Sequence, residues 1–66
     1  MDNRVRELRT ARGWSQQVLG EKVGVSRQTI IAIERGRYDP SLPLAFEMAL
    51  IFDMKIEDLF QHRSES

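Results

Sequence analysis

Two adjacent side chains near the middle of the chain, Arg27 and Gln28, carry planar hydrogen-bonding groups at the start of a predicted helix. An arginine can form a two-pronged pair with guanine and a glutamine with adenine, each worth about 1–3 kcal/mol of discrimination between bases. The helical period turns Ile30 and Ile33 inward. The side chains left facing outward are those of Arg27, Gln28, Ile31, Ala32 and Arg35. Among them, Arg27, Gln28 and Arg35 could recognise a polar partner through hydrogen bonds, and Ile31 and Ala32 offer only apolar contacts.

The residue types that support catalysis occur without a catalytic arrangement. The one histidine, His62, lies in a polar C-terminal segment, 62–66, that we expect to be frayed. The adjacent carboxylates Glu57 and Asp58 lie in the first turn of a predicted helix, where acidic side chains ordinarily complement the helix dipole. The sequence contains neither a metal-ligand set nor a glycine-rich phosphate loop, so we expect no enzyme, no metal and no cofactor.

Length and composition restrict the chain to one small globular domain, expected over residues 1–61. Its 66 residues are 41% hydrophobic and 30% charged, without an apolar run long enough to span a membrane. Cysteine is absent and the first residues are too polar for a secretory signal. We therefore expect a reducing, cytoplasmic setting and no membrane partner.

The formal net charge of zero conceals a segregation of charge along the chain. Residues 1–37 carry eight basic and four acidic side chains, whereas residues 38–66 carry two basic and six acidic ones. One interpretation is accidental clustering on solvated helix faces. The other is that the first half faces an anionic partner while the second half turns away.

Caps and breakers divide the chain into five predicted helices. The first runs from Asn3, as N-cap, to about Arg12, and the last from Ile56 to about Phe60. Serines at 15, 26 and 41 cap the three between them, which span about 15–23, 26–35 and 41–52. The predicted fold class is all-α.

The second and third predicted helices are joined through Gly24 and Val25 alone. So short a link prevents antiparallel side-by-side packing, and the two helices must cross steeply, as in a helix-turn-helix over about residues 15–35. Close backbone approach requires a tiny residue on the second helix, which Gly20 supplies despite costing about 1 kcal/mol of helix propensity. The apolar residues inside the corner are Leu19, Val23, Val25, Ile30 and Ile33.

The segment WSQQVLGEKVGVSRQTIIAIERG, followed by YDPSLPLA and IEDLF, resembles the phage-repressor and Cro type of helix-turn-helix regulator, called XRE-like. The resemblance covers nearly residues 4–60. It implies a compact five-helix, lambda-repressor-like domain that regulates transcription by binding double-stranded DNA, with the helix at about 26–35 in the major groove. It also implies a structural ion pair between Arg9 and Glu34, with Gly20 and Gly24 holding the corner.

The same resemblance implies base-reading roles. Arg27 and Gln28 occupy the family's principal base-reading positions, and Ala32, one turn later, can touch a thymine methyl group. Ile31 stands where the family usually carries a small polar residue, so its side chain contacts either a base methyl or a protein. The alternative for Arg27 and Gln28 is that they are ordinary solvent-facing residues of a small bundle.

Contacts to the DNA backbone are expected from other residues. Gln16 resembles the family's phosphate-contacting glutamine, and the first-turn amides of its helix suit an anionic oxygen. Arg35, Arg37 and Tyr38, at and beyond the end of the third helix, are expected to contact further phosphates. The alternatives are a neutral first-turn residue for Gln16 and solvated side chains for the others.

The fourth predicted helix is apolar nearly all round, and a 66-residue monomer cannot bury every side of it. Leu50 and Ile51, where the family commonly has polar or small residues, together with Phe60, form a candidate self-association surface. We expect a homodimer on a two-fold operator, with half-sites roughly 34 Å apart. Asp53 replaces a usual glycine after this helix and tolerates left-handed geometry less well.

A second hypothesis keeps the fold but makes protein contact its main role, as in an antitoxin that binds a small toxin and represses its own operon. The apolar fourth helix discriminates only weakly between the two hypotheses. Co-purification with a small toxin-like protein would favour the second, and a stable homodimer without a partner would favour the first.

Overall fold

The computed structural model describes residues 2–61, which form five helices and one two-stranded antiparallel sheet. The helices are α1 (Val5–Ala11), α2 (Gln16–Val23), α3 (Arg27–Glu34), α4 (Leu42–Ile51) and α5 (Ile56–Leu59). The strands are β1 (Asp2–Asn3) and β2 (Phe60–Gln61). The predicted five-helix fold is confirmed, with a small sheet added to it. The tail predicted to be frayed, 62–66, lies outside the described residues.

Serine caps begin the three central helices, as the sequence predicts. Each hydroxyl oxygen accepts a hydrogen bond from the amide three residues later, over 3.0 Å at Ser15, 3.2 Å at Ser26 and 3.4 Å at Ser41. These bonds satisfy first-turn amides that have no partner within the helix. The starts of α2, α3 and α4 are therefore set by local sequence.

The start of α1 differs from the prediction, which made Asn3 the N-cap. Asn3 belongs to β1 and pairs with Phe60, so the cap position falls on Arg4. The side chain of Arg4 makes no capping hydrogen bond. The Asn3 Oδ1 nevertheless accepts a hydrogen bond from the Val5 amide at 3.1 Å. Its Nδ2 donates to the Ile33 carbonyl at 2.8 Å, which ties β1 to α3.

The prediction that Phe60 ends the last helix and belongs to a self-association surface is wrong. The last helix stops at Leu59, and Phe60 takes an extended conformation in β2. Alternate side chains of a strand point to opposite faces, which turns Phe60 into the core, where it is 6% exposed, and leaves Gln61 outside. Phe60 therefore cannot contribute to an exposed self-association surface.

A single apolar core joins all five helices and β2. Its buried members are Val5, Leu19, Ile30, Ile33, Ala45, Met48, Ala49, Phe52, Leu59 and Phe60. Trp14 packs against this core with its ring stacked on Phe52 at 5.7 Å between centroids. No helix within residues 2–61 has the length and apolar character needed to cross a membrane.

Candidate nucleic-acid interface

Two glycines build the corner between α2 and α3. The amides of Gly24 and Val25 both donate to the Gly20 carbonyl, the latter over 2.9 Å. A Cβ placed on Gly20 would lie 2.6 Å from the Val25 carbonyl oxygen, so a larger residue would have to displace the turn backbone. Gly24 has a φ of 78°, which glycine adopts without steric cost. This corner fixes the position at which α3 begins.

The outer surface of α3 carries the side chains predicted to read bases. Arg27 and Gln28 are exposed in its first turn, and Ile31 and Ala32 are half-buried further along. On the opposite face, the two inward isoleucines of α3 are fully buried. The helix is therefore anchored on one side while polar groups project from the other.

A groove of about 580 Å³ is lined by α1, the start of α2 and α3 with its C-cap. Its lining residues are Arg6, Arg9, Ser15, Gln16, Arg27, Ile31, Glu34 and Arg35. The structure thus brings four of the predicted DNA-contacting residues into one concave surface. Gln28 and Ala32 do not line the groove, and Arg37 and Tyr38 are exposed in the turn after α3.

A hydrogen-bond network inside the groove connects α1, α2 and α3. The Arg9 Nε donates to Glu34 Oε2 at 2.6 Å, and its Nη1 donates to the Trp14 carbonyl oxygen at 2.8 Å. The Arg9 and Glu34 side chains are only 11% and 4% exposed. The Gln16 Nε2 donates to Glu34 Oε1 at 3.1 Å, so the same carboxylate also holds the side chain predicted to contact phosphate. The network leaves Glu34 neutralised by Arg9.

The rest of the groove is strongly basic. Arg6, Arg27 and Arg35 are exposed, and none forms an ion pair with another residue in the described part of the chain. Across residues 2–61 no cluster of carboxylates and histidines could hold a metal ion. The groove therefore offers its cationic donors to an anion.

Arg6 was not among the predicted site residues, although its position contains a usable clue. It precedes Arg9 by three residues, and residues three apart lie on the same face of a helix. Once Arg9 is assigned to the pair that joins α1 to α3, the same spacing directs Arg6 toward α3.

An apolar stripe on α4, defined by Leu42, Phe46 and Leu50, lies outside the core. These side chains are 63%, 58% and 75% exposed, and their four-residue spacing puts them on one face of the helix. Leu50 was predicted to be part of such a surface, whereas Leu42 and Phe46 were not. Ile51 is half-buried and packs against the core, so it contributes less exposed surface than the prediction assumed.

Comparison with known protein families and sequences gives consistent matches. A family model described as helix-turn-helix matches residues 5–59. An uncharacterized HTH-type transcriptional regulator of Methanocaldococcus jannaschii is 51% identical over 65 residues, which cover 98% of each chain. The uncharacterized HTH-type transcriptional regulator YgzD of Bacillus subtilis is 53% identical over 66 residues, the full length of both chains.

Solved structures are also similar to this chain. The restriction-modification controller protein C.AhdI from Aeromonas hydrophila superposes with a TM-score of 0.76 at 38% identity, covering 86% of each chain. A hypothetical transcription factor, NHTF, from Neisseria superposes with a TM-score of 0.73 at 30% identity, covering 82% of this chain and 61% of that one. The matched family and sequence relatives are transcriptional regulators rather than enzymes.

Proposed function

The chain belongs to the XRE-type helix-turn-helix family of transcriptional regulators, and we propose that it binds double-stranded DNA sequence-specifically, with α3 in the major groove. The observation that carries this proposal is the exposure of Arg27 and Gln28 in the first turn of α3. An α-helix fits the width of the major groove, where each base pair presents a distinct pattern of donors and acceptors.

Base reading is assigned to the exposed face of α3. Arg27 can donate two hydrogen bonds to guanine, and Gln28 can donate to and accept from adenine. Ala32 and Ile31, one turn further on, offer methyl groups that fit against thymine. Their half-buried position limits them to short-range apolar contacts, so Arg27 and Gln28 carry most of the discrimination.

Positioning on the duplex is assigned to groups around the groove. Gln16 begins α2, where first-turn amides and the helix dipole favour a phosphate oxygen, and its side chain is already held by Glu34. Arg35, Arg37 and Tyr38 are exposed at the other end of α3, and we assign them to further phosphate contacts. Such contacts set the register of the protein without reading sequence.

We test these assignments with a salt-titrated binding assay on duplexes selected from random sequence. Gln28→Ala should relax the base preference at one position of each half-site, costing about 1–3 kcal/mol for the preferred base. Gln16→Ala should weaken binding to all sequences alike. If both variants merely scale the affinity by the same factor for every sequence, the assignment of reader and positioner fails.

We also propose that the protein acts as a homodimer that pairs through the apolar stripe of α4. The stripe lies in the acidic half of the chain, which suits a position away from phosphates. One small module makes few base contacts, and pairing two of them across a two-fold axis multiplies specificity. Half-sites should then lie roughly 34 Å apart on the duplex.

Alanine substitutions at two adjacent positions of α4 test the dimer. Phe46→Ala should shift the chain toward monomer in sedimentation experiments, whereas Glu47→Ala, at the next position of the same helix, should leave the dimer intact. A parent protein that remains monomeric at high micromolar concentration, even with operator DNA present, would exclude the homodimer. A stable complex with a small toxin-like protein in place of the second copy would favour the antitoxin-like role.

A further inference from the structure

The four arginines on and beside α1 differ in whether their side chains bond to other residues of the chain. Three have partners within the chain: Arg4 pairs with Glu7 at 2.9 Å, Arg9 pairs with Glu34, and Arg12 donates to the carbonyl oxygens of Leu8 and Phe52. Arg6 forms no ion pair or side-chain hydrogen bond with another residue in the range 2–61. Its guanidinium is therefore available to a partner outside the chain.

Arg6 lies on the groove together with Arg27 and Arg35. These three arginines line the groove from α1 and from both ends of α3, and the one carboxylate among the lining residues, that of Glu34, is already paired with Arg9. Like charges that share a concave surface repel one another, and a bound anion relieves that repulsion. The charge arrangement in the groove is therefore complementary to an anion that reaches α1 as well as α3.

The groove is suited to a phosphodiester strand rather than to an apolar ligand. Its volume of about 580 Å³ lies within the roughly 300–1,000 Å³ of ligand pockets, but such pockets are lined predominantly by apolar residues. Here Ile31 is the one apolar side chain among eight lining residues. Guanidinium groups match phosphate oxygens with paired, charge-assisted hydrogen bonds.

We propose that Arg6 contacts a phosphate of the bound duplex, so that α1 forms part of the backbone interface beside α3. This inference rests on the proposed DNA-binding function and adds a residue that positions the protein without reading bases. Arg27 remains the base reader in the same groove, and Arg6 fixes the strand that runs past it.

The test compares Arg6→Ala with Arg4→Ala on a duplex selected by the parent protein. Each substitution removes one positive charge, from the exposed Arg6 or from the half-buried Arg4 two residues before it. Arg6 lines the groove and Arg4 does not. Loss of one phosphate contact per protomer should weaken binding about five- to tenfold per half-site at 0.1 M salt. It should make the slope of log K against log salt shallower by about 0.9 per half-site, or about 1.8 for a dimer on a two-fold operator. Arg4→Ala should change the affinity less than about twofold, because Arg4 lies outside the groove lining and its charge is paired with Glu7.

Further readouts separate this inference from the function on which it rests. Arg6→Lys should restore most of the salt slope, and Arg6→Ala should keep the parent's base preference and melting temperature. If the parent binds its duplex but Arg6→Ala and Arg4→Ala behave alike, the role of Arg6 is overturned while the DNA-binding function stands. If the parent selects no duplex at all, the proposed function itself fails.

Discussion

The two halves of this small domain share one apolar core and differ in the contacts that join their helices beside it. In the half formed by α1, α2 and α3, a mostly buried ion pair adds to the apolar packing by linking α1 to α3, and Gln16 joins α2 to it. In the half formed by α4, α5 and β2, the packing is apolar, and α4 leaves Leu42, Phe46 and Leu50 exposed.

This contrast indicates two kinds of recognition on one chain. Residues 1–37, which contain the first half, carry eight of the ten basic residues, and the first half presents a polar groove beside the exposed turn of α3. The second half is acidic and presents an apolar helix face. We infer that the charged and hydrogen-bonding groups of the first half bind DNA, while the apolar face of the second half binds a second copy of the chain. Substitutions in the two halves should therefore impair different properties of the protein.

The largest effect is expected at the corner of the first half. Gly20→Val should cost about 3 kcal/mol of unfolding free energy, at the upper end for overpacking, because even a Cβ would press on the Val25 carbonyl oxygen at 2.6 Å. Gln17→Val, at an exposed position of the same helix, is the control and should cost less than about 1 kcal/mol. Urea unfolding measures both, and equal stability of the two variants would show that the corner does not require glycine.

An intermediate effect is expected where polar groups join the helices. Glu34→Ala leaves the mostly buried Arg9 without its carboxylate and should cost about 2–3 kcal/mol, near the range for broken buried pairs. Glu7→Ala breaks the exposed pair with Arg4 and should cost less than about 0.5 kcal/mol. If chemical denaturation gives the same loss for both, the network inside the groove stabilises the first half no more than an exposed ion pair does.

The smallest effects compare the turns after α2 and α4. Both use left-handed geometry, with φ of 78° at Gly24 and 55° at Asp53. Gly24→Ala should therefore cost about 1 kcal/mol, whereas Asp53→Gly should gain about 0.5 kcal/mol by relieving strain that a Cβ imposes. Thermal melts of the two variants should shift in opposite directions. A lower melting temperature for Asp53→Gly would mean that the aspartate stabilises its turn by other contacts.

Local rules predicted most of the fold because its helices begin and end on residues with strong positional preferences. Serines start α2, α3 and α4 where the sequence indicates, and glycine ends α2. The pairing of Asn3 with Phe60 was missed because strands of two residues contain no alternation to detect. It also depends on contact between the two ends of the described chain, which no local pattern reports.

The candidate site was predictable where one helix determines it and unpredictable where packing between helices does. Buried Ile30 and Ile33 fix the outer face of α3, so the exposure of Arg27 and Gln28 follows from the sequence. The bond from Gln16 to Glu34 arises only when α2 and α3 pack together.

The exposed face of α4 was harder to predict, because that helix is apolar on nearly every side. Its sequence alone does not identify which face meets the core. The packing turns Leu42, Phe46 and Leu50 outward and leaves Ile51 against the core.

The decisive measurement pairs a change in the protein with a change in a single base. Replacing the N7 of one operator adenine by carbon removes a major-groove acceptor and leaves Watson–Crick pairing intact. At the adenine read by Gln28, the parent should lose about 1 kcal/mol of binding free energy, whereas Gln28→Ala should lose almost nothing further. An equal loss for parent and variant at every adenine would contradict major-groove reading by the first turn of α3.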